Sequence, residues 1–284
     1  MLSPKKLALF IAFIFLWLTS VAFIHTNIEG VLDYSLFSFL GVLGAIFANA
    51  TGAGGGVIFI PFFSQLNFSE SQSVATSFGI QCFGMSAGAL TWYHHYKTEK
   101  TTLRLWQGFK RIIAVTSIAS ALGVWLVFSY QLSSPSSLHV SFSYFSLILG
   151  FFIILTVLFT KPHRERSQLY MHDYVMLVII GFFGGAITAW LSVGVGEILV
   201  IYLLLRRFDM TMAVAAAVIV SAISVWVSIS SVSDNIYWQV VLFAGPGAIL
   251  GGVFAKTVVT HLSARKLKMF FAFWLLVSGA FALT

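Results

Sequence analysis

Hydrophobic residues run along this chain in blocks of roughly membrane-crossing length, parted by short polar segments. Blocks at 7–24, 73–94, 112–130, 138–160, 211–232, 236–256 and 267–284 each predict one crossing helix. Two further blocks, 34–63 and 174–205, are too long for one helix, and glycine interrupts each about two thirds of the way along. The first block follows Lys5 and Lys6 and ends near Ser20-Val21-Ala22, a faint cleavage-site pattern. Its apolar run exceeds a signal-peptide core, so an uncleaved first helix is expected. Nowhere does the pattern alternate as the strands of a β-barrel do. The expected fold is an all-α polytopic membrane protein.

Composition agrees: 59% of residues are hydrophobic and 9% charged, with a mean hydropathy of +0.95, which excludes a soluble domain with a polar shell. The net charge of +7 would fit nucleic acid, but the bases sit in short segments between apolar blocks, where they mark membrane orientation. No nucleic-acid partner is expected; the lipid bilayer is. The single cysteine, Cys82, lies in an apolar helix and offers neither a disulfide framework nor a thiol metal site.

Charge also arranges the two long blocks. If the N-terminus is cytoplasmic and each interrupted block enters and leaves on one side, every Lys and Arg falls on the cytoplasmic side. That set includes Lys97 to Arg111, Arg206 and Arg207, and the inner segment of Lys256, Arg265, Lys266 and Lys268. Glu29, Asp33, Glu70 and Asp234 then lie outside with no base among them. A single crossing by each block would put the Lys97–Arg111 cluster outside, against the positive-inside rule. Re-entrant hairpins and hairpins whose arms both cross fully fit this charge pattern equally.

The interrupted blocks resemble each other. Thr51-Gly52-Ala53-Gly54-Gly55-Gly56-Val57-Ile58-Phe59-Ile60-Pro61 aligns with Ser192-Val193-Gly194-Val195-Gly196-Glu197-Ile198-Leu199-Val200-Ile201-Tyr202. Helices opening at Val74-Ala75-Thr76-Ser77 and Val214-Ala215-Ala216-Ala217 follow, and then helices near Trp106 and Trp238. This is a repeat of roughly 140 residues. An N-terminal helix over 1–30 would precede a first repeat over 31–165 and a second over 166–284. Three crossings beyond the first hairpin would invert the second repeat, as in many secondary transporters. Pro61 and Tyr202 would set the geometry of the two hairpins.

Four of the five positions 52–56 are glycine, more than close helix packing asks. Packing is the expectation for Gly41/Gly44, Gly181/Gly185 and Gly247/Gly251 instead. Non-helical backbone in a membrane survives only inside protein or beside water. A helix restarting after such a break has unsatisfied amides and the positive end of its dipole, which suits an anion. Gly52, Gly54, Gly55, Gly56, Gly194 and Gly196, with the hydroxyls of Thr51 and Ser192, are therefore the candidate substrate-binding residues. Asn49, Gln81 and Ser221 are added as polar groups on neighbouring helices. Glu197 is the charged residue placed deepest, at a cost of about 2.5–3.5 kcal/mol. It reads as an N-terminal cap or as a proton-coupling carboxyl, since a protonated Glu197 would not repel an anion. A cation transporter or channel using Glu197 and freed carbonyls is the rival reading. Gly84-Met85-Ser86-Ala87-Gly88 matches a nucleophile-elbow pattern, but it lies mid-helix and no histidine is placed deep in a span, so no enzyme is expected. His94 and His95, adjacent on a helix, diverge and make no metal site.

The glycine-rich run from Gly52 to Pro61, with Ala75-Thr76-Ser77 in the next helix, resembles the sulfite exporter TauE/SafE family of bacterial membrane proteins. The family pattern repeats its glycine motif and proline in the second half, whereas here Glu197 replaces the last glycine and Tyr202 stands at the place of the proline. The resemblance implies a bacterial inner-membrane transporter of sulfite or a small organosulfonate such as sulfoacetate, moved outward by an ion gradient without a cofactor. Monomer and homodimer both remain open.

Overall fold

The computed structural model describes residues 4–24, 28–98, 105–159, 166–262 and 264–281. Of the bases that the charge pattern counts, Lys100, Arg104, Lys161 and Arg164 lie outside the described residues.

Helices α1 (Pro4–Ile24), α2 (Ile28–Ser35), α3 (Phe37–Thr51), α4 (Gly56–Gln65) and α5 (Glu70–Thr98) come first. They are followed by α6 (Phe109–Ser129), α7 (Leu138–Phe159), α8 (Met171–Leu191) and α9 (Val195–Leu205). Helices α10 (Met210–Val232), α11 (Trp238–His261) and α12 (Ala264–Phe281) complete the bundle. Among the described residues the only pairing of extended chain is the bridge between Arg166 and Phe208. The all-α expectation holds, and both long blocks are broken where the glycines fall.

Six stretches are long and apolar enough to cross a membrane: Val31–Thr51, Phe109–Ser129, Leu138–Leu155, Met171–Leu191, Met210–Asn235 and Trp238–His261. Four of the seven blocks predicted as simple crossings are among them. The other three are not. The apolar parts described in α1 and α12, Ile11–Phe23 and Lys268–Phe281, are shorter. Helix α5 is long but carries buried Ser73, Thr76, Ser77 and Gln81, on a face that packs against α10 and α11.

The first arms of the broken blocks, Val31–Thr51 and Met171–Leu191, are 21 residues each. That is roughly 31 Å of helix, the thickness of a bilayer core. The returning arms, α4 with 10 residues and α9 with 11, reach about half as far. Each block nevertheless begins and ends at one end of the bundle. Phe37 at the start of α3 meets Phe62 near the end of α4, ring centroids 6.1 Å apart. Near the start of α8, Asp173 accepts hydrogen bonds from Tyr202 and Arg206 at the end of α9, at 2.7 and 3.0 Å. Each hairpin thus joins a full-length arm to a half-length one.

The two bases lie at opposite ends of the bundle. The first shares its end with Tyr237, whose hydroxyl meets that of Tyr34 at 2.9 Å, and with Glu70, which accepts from the Leu138 amide. We refer to this as the tyrosine end. The second lies with Arg111, which donates to Tyr174, and Trp106, which donates to Asp209, the N-cap of α10. This is the arginine end. Helix α5 runs between the two, from Glu70 to the His95 ring beside Trp106.

Helix pairing exchanges the halves. Helix α3 lies along α11, α8 along α6, and α7 along α12. Glycine makes the first two contacts close: a Cβ at Gly41 would stand 2.0 Å from Ala244 O, one at Gly247 2.2 Å from Ser38 O, and one at Gly185 2.4 Å from Ser120 O. Of the predicted packing glycines, Gly44 is the exception, since it faces the Phe59 ring of α4.

Candidate functional site

Helix α8 ends on Ser192, which takes the left-handed conformation at φ 59°, and Gly194 follows at φ 152° before α9 begins. The turn folds back so tightly that a Cβ on Gly194 would meet Gly184 O at 2.9 Å. The start of α9 is capped from within. Thr188 Oγ1 accepts from the Val195 amide at 3.0 Å, and Glu197 Oε2 accepts from the Gly194 amide at 2.8 Å. Glu197 is the third residue of α9, the position from which a glutamate reaches back to the N-cap amide.

The first break is one residue longer. Helix α3 ends at Gly52, left-handed at φ 80°, and α4 restarts at Gly56. The Gly54 amide donates to Glu197 Oε1 at 2.8 Å, and the Gly55 amide to Gln81 Oε1 at 2.8 Å. One carboxylate therefore joins an amide of each break. Gln81 holds the other side, donating through Nε2 to Ser192 Oγ at 2.8 Å and Ser77 Oγ at 3.0 Å. The breaks touch directly as well: a Cβ on Gly56 would stand 2.7 Å from Ser192 O, and one on Gly196 2.3 Å from Gly52 O. Only residues without side chains allow this backbone-to-backbone approach.

The predicted site residues are thus largely gathered at one junction. Gly52, Gly54, Gly55, Gly56, Ser192, Gly194, Gly196, Gln81 and Glu197 meet there. Ser221 Oγ is buried without a hydrogen-bond partner, beside Gly196. Thr51 donates to Phe47 O and accepts from the Ala53 amide, so its hydroxyl serves the end of α3. Asn49 shares a closed cleft with Gly55 and Gln81, where its Oδ1 is buried and unpaired. Pro61 lies within α4 and Tyr202 at the base of the second hairpin, both away from the junction.

Two expectations need correction. The amides of Gly54, Gly55 and Gly194 do not stand open, because protein oxygens occupy them and the adjoining cleft has no space for a water molecule. The physical reason is cost: an unpaired amide in a low-dielectric interior loses about 1–3 kcal/mol. Secondly, counted from the helix restarts, the counterpart of Glu197 is Ile58 and that of Pro61 is Val200, because the breaks differ in length. Away from the junction, at the base of the second hairpin, a further carboxylate is buried. Asp173 is fully buried, held by Arg166, Arg206, Tyr202 and the Tyr170 amide.

Two participants escaped the sequence reading. Ser77 lies four residues before Gln81, hence on the same helix face, and that spacing was the available signal. Thr188 gave none, since its role depends on where the chain turns back. Ser86 of the elbow-like motif lies within α5 and accepts from Trp226 Nε1.

The space beside the junction is unequal. At the tyrosine end a cavity of about 790 Å³ is lined by Trp125, Trp190, Trp226, Ser129 and Ser230. It adjoins a second of about 390 Å³ reaching Glu70 and Asn235. Buried Val124, Val127 and Ala189 line the larger cavity and pack against Val227. At the arginine end a crevice of about 20 Å³ lies between Thr51, Leu204, Met210 and Lys268.

The profile of one family, described as sulfite exporter TauE/SafE, matches residues 36–282. No curated protein and no solved structure matches the chain.

Proposed function

The chain belongs to the sulfite exporter TauE/SafE family, and from that premise we propose that it carries sulfite or a small organosulfonate such as sulfoacetate through the junction of its two broken hairpins. The observation that carries this reading is the Glu197 carboxylate bridging the Gly54 and Gly194 amides. Both oxygens of a small anion are already represented there by a side chain. The carboxylate is a resident stand-in for the solute, and the two exchange.

The energies permit exchange. Removing the carboxylate leaves two amides unpaired, at about 2–6 kcal/mol together. Keeping a charged side chain at this depth costs about 2.5–3.5 kcal/mol. The terms are comparable, so a solute that satisfies the same amides while Glu197 takes up a proton shifts the balance modestly. Proton uptake by Glu197 then accompanies solute binding, and that links solute movement to a proton gradient. Ser221, unpaired beside Gly196, and Ser192 supply further donors. The halves act as inverted repeats, a reading supported by hairpin bases at opposite ends of α5 and by exchanged helix pairing. In the cell we place the protein in the bacterial inner membrane with the arginine end and N-terminus cytoplasmic.

The rival cation reading requires Glu197 to face acceptors. Its two oxygens face N–H donors instead, which favours an anion. The test is flux in proteoliposomes under an imposed proton gradient. Wild-type protein is expected to drive sulfite or sulfoacetate uphill, and Glu197→Gln to keep solute exchange while losing gradient-driven accumulation. Cation flux that vanishes in Glu197→Gln, with no anion flux in either protein, would overturn the proposal.

A further inference from the structure

The crevice at the arginine end holds a basic side chain that charge patterning had treated only as a marker of orientation. Lys268, on α12, lines it with Thr51, Leu204, Met210 and Phe271. Thr51 is the last residue of α3, next to Gly52, so the crevice touches the first break itself. Its depth follows from α10: Met210 stands at the mouth, while Gly52 packs against Val214 and Ala217. Seven residues of helix from Met210 to Ala217 cover about 10 Å. Several other described bases at this end are engaged. Arg166 and Arg206 pair with Asp173, Arg111 donates to Tyr174, and Lys97 and Lys110 lie over the Tyr93 and Tyr96 rings. Lys268 is half-buried, and among the described residues no carboxylate pairs with it.

We infer that Lys268 is the recruiting cation of the arginine-end mouth: it draws the anionic solute to the crevice that leads towards Thr51 and sets its apparent affinity from that side only. The inference rests on the anion-transport reading above. Among the described residues no carboxylate offsets the desolvation of this half-buried ammonium, and an arriving anion supplies that counter-charge. Met210, Leu204 and Phe271 wall off water, so the attraction is screened less than at an open surface. Lys268 hands the solute on to the junction and touches neither Glu197 nor the break amides, so it governs capture and not the crossing step.

The experiment measures sulfite flux against concentration in right-side-out and inverted membrane vesicles for wild type, Lys268→Gln, Lys268→Arg and Lys268→Met. The last keeps the apolar stem, so at least one neutral variant folds. In the neutral variants KM is expected to rise about tenfold on the side of the arginine end, with maximal rate changed by less than about twofold. Lys268→Arg restores the wild-type KM. The wild-type KM rises with ionic strength on that side, and the neutral variants lose this dependence. Saturable sulfite flux with unchanged KM in both neutral variants overturns the role of Lys268 and leaves the transport reading standing. An equal KM rise on both sides overturns it too, because the residue would then act at the centre. If the wild type moves neither sulfite nor sulfoacetate, the transport reading fails, and with it this one.

Discussion

The base of the first hairpin is closed by aromatic rings, Phe37 on Phe62 and Tyr34 on Tyr237, and the base of the second by a buried carboxylate, Asp173, under Arg166, Arg206 and Tyr202. The breaks above these bases divide their roles in the same way. The first offers glycine amides and no charge; the second offers the charge that fills them. Similar backbones thus carry complementary chemistry, and the Gly54 amide of the first break is satisfied by the carboxylate of the second. Two breaks with identical residues would present amides to amides with nothing to accept from both. The departure of the second copy from the glycine pattern is what lets the pair close without a solute.

The largest expected effect comes from removing the link between the two. Glu197→Ala strips the acceptor from both Gly54 and Gly194 in a site with no water to replace it, a loss of about 2–6 kcal/mol. The thermal unfolding midpoint in detergent is expected to fall by roughly 10 °C. A midpoint unchanged within error would mean that the carboxylate does not join the breaks. Added sulfite is expected to raise the midpoint of this variant more than that of wild type, since the solute then fills vacated amides.

Glycine substitutions sharpen the contrast next. A Cβ on Gly196 meets the Gly52 carbonyl at 2.3 Å, and backbone cannot step aside, whereas a Cβ on Gly55 meets the Phe59 ring at 2.6 Å and the Gln81 side chain at 2.9 Å, which can turn. Gly196→Ala is expected to cost about 1–3 kcal/mol and Gly55→Ala less, read from the same melting curves. The reverse order would show that the first break is the tighter of the two.

The bases differ less. Asp173→Asn leaves two guanidiniums without their counter-charge. They are 18% and 35% exposed and keep some solvation, so the loss is about 2 kcal/mol and not the figure for a fully buried pair. Tyr34→Phe removes one hydroxyl contact from the aromatic base and costs about 0.5–1 kcal/mol. Equal losses at the two bases, measured as midpoint shifts, would dissolve the distinction between a charged and an aromatic closure.

The helical class, the broken blocks and the gathering of glycines were all legible along the chain, because hydrophobic period and glycine placement are local signals. So was the partition of charge between the two ends, which rests on loop composition. Helix α5 runs the length of the bundle as its block predicts, although its buried Ser, Thr and Gln residues, sheltered by neighbouring helices, keep it from being apolar throughout. The equivalence of Glu197 with Gly56 failed, because a one-residue difference in break length shifts the register without leaving a mark in the alignment. Asp173 was passed over for a similar reason: its burial depends on Tyr202 and Arg206, brought to it by the returning arm of the same hairpin.

By itself the sequence determined where the backbone must break, since that follows from what a bilayer tolerates at each position. The partner of each broken amide was settled only in three dimensions. Glu197 and Gly54 lie 143 residues apart, and a hydrogen bond over that separation exists only once the helices between them have packed.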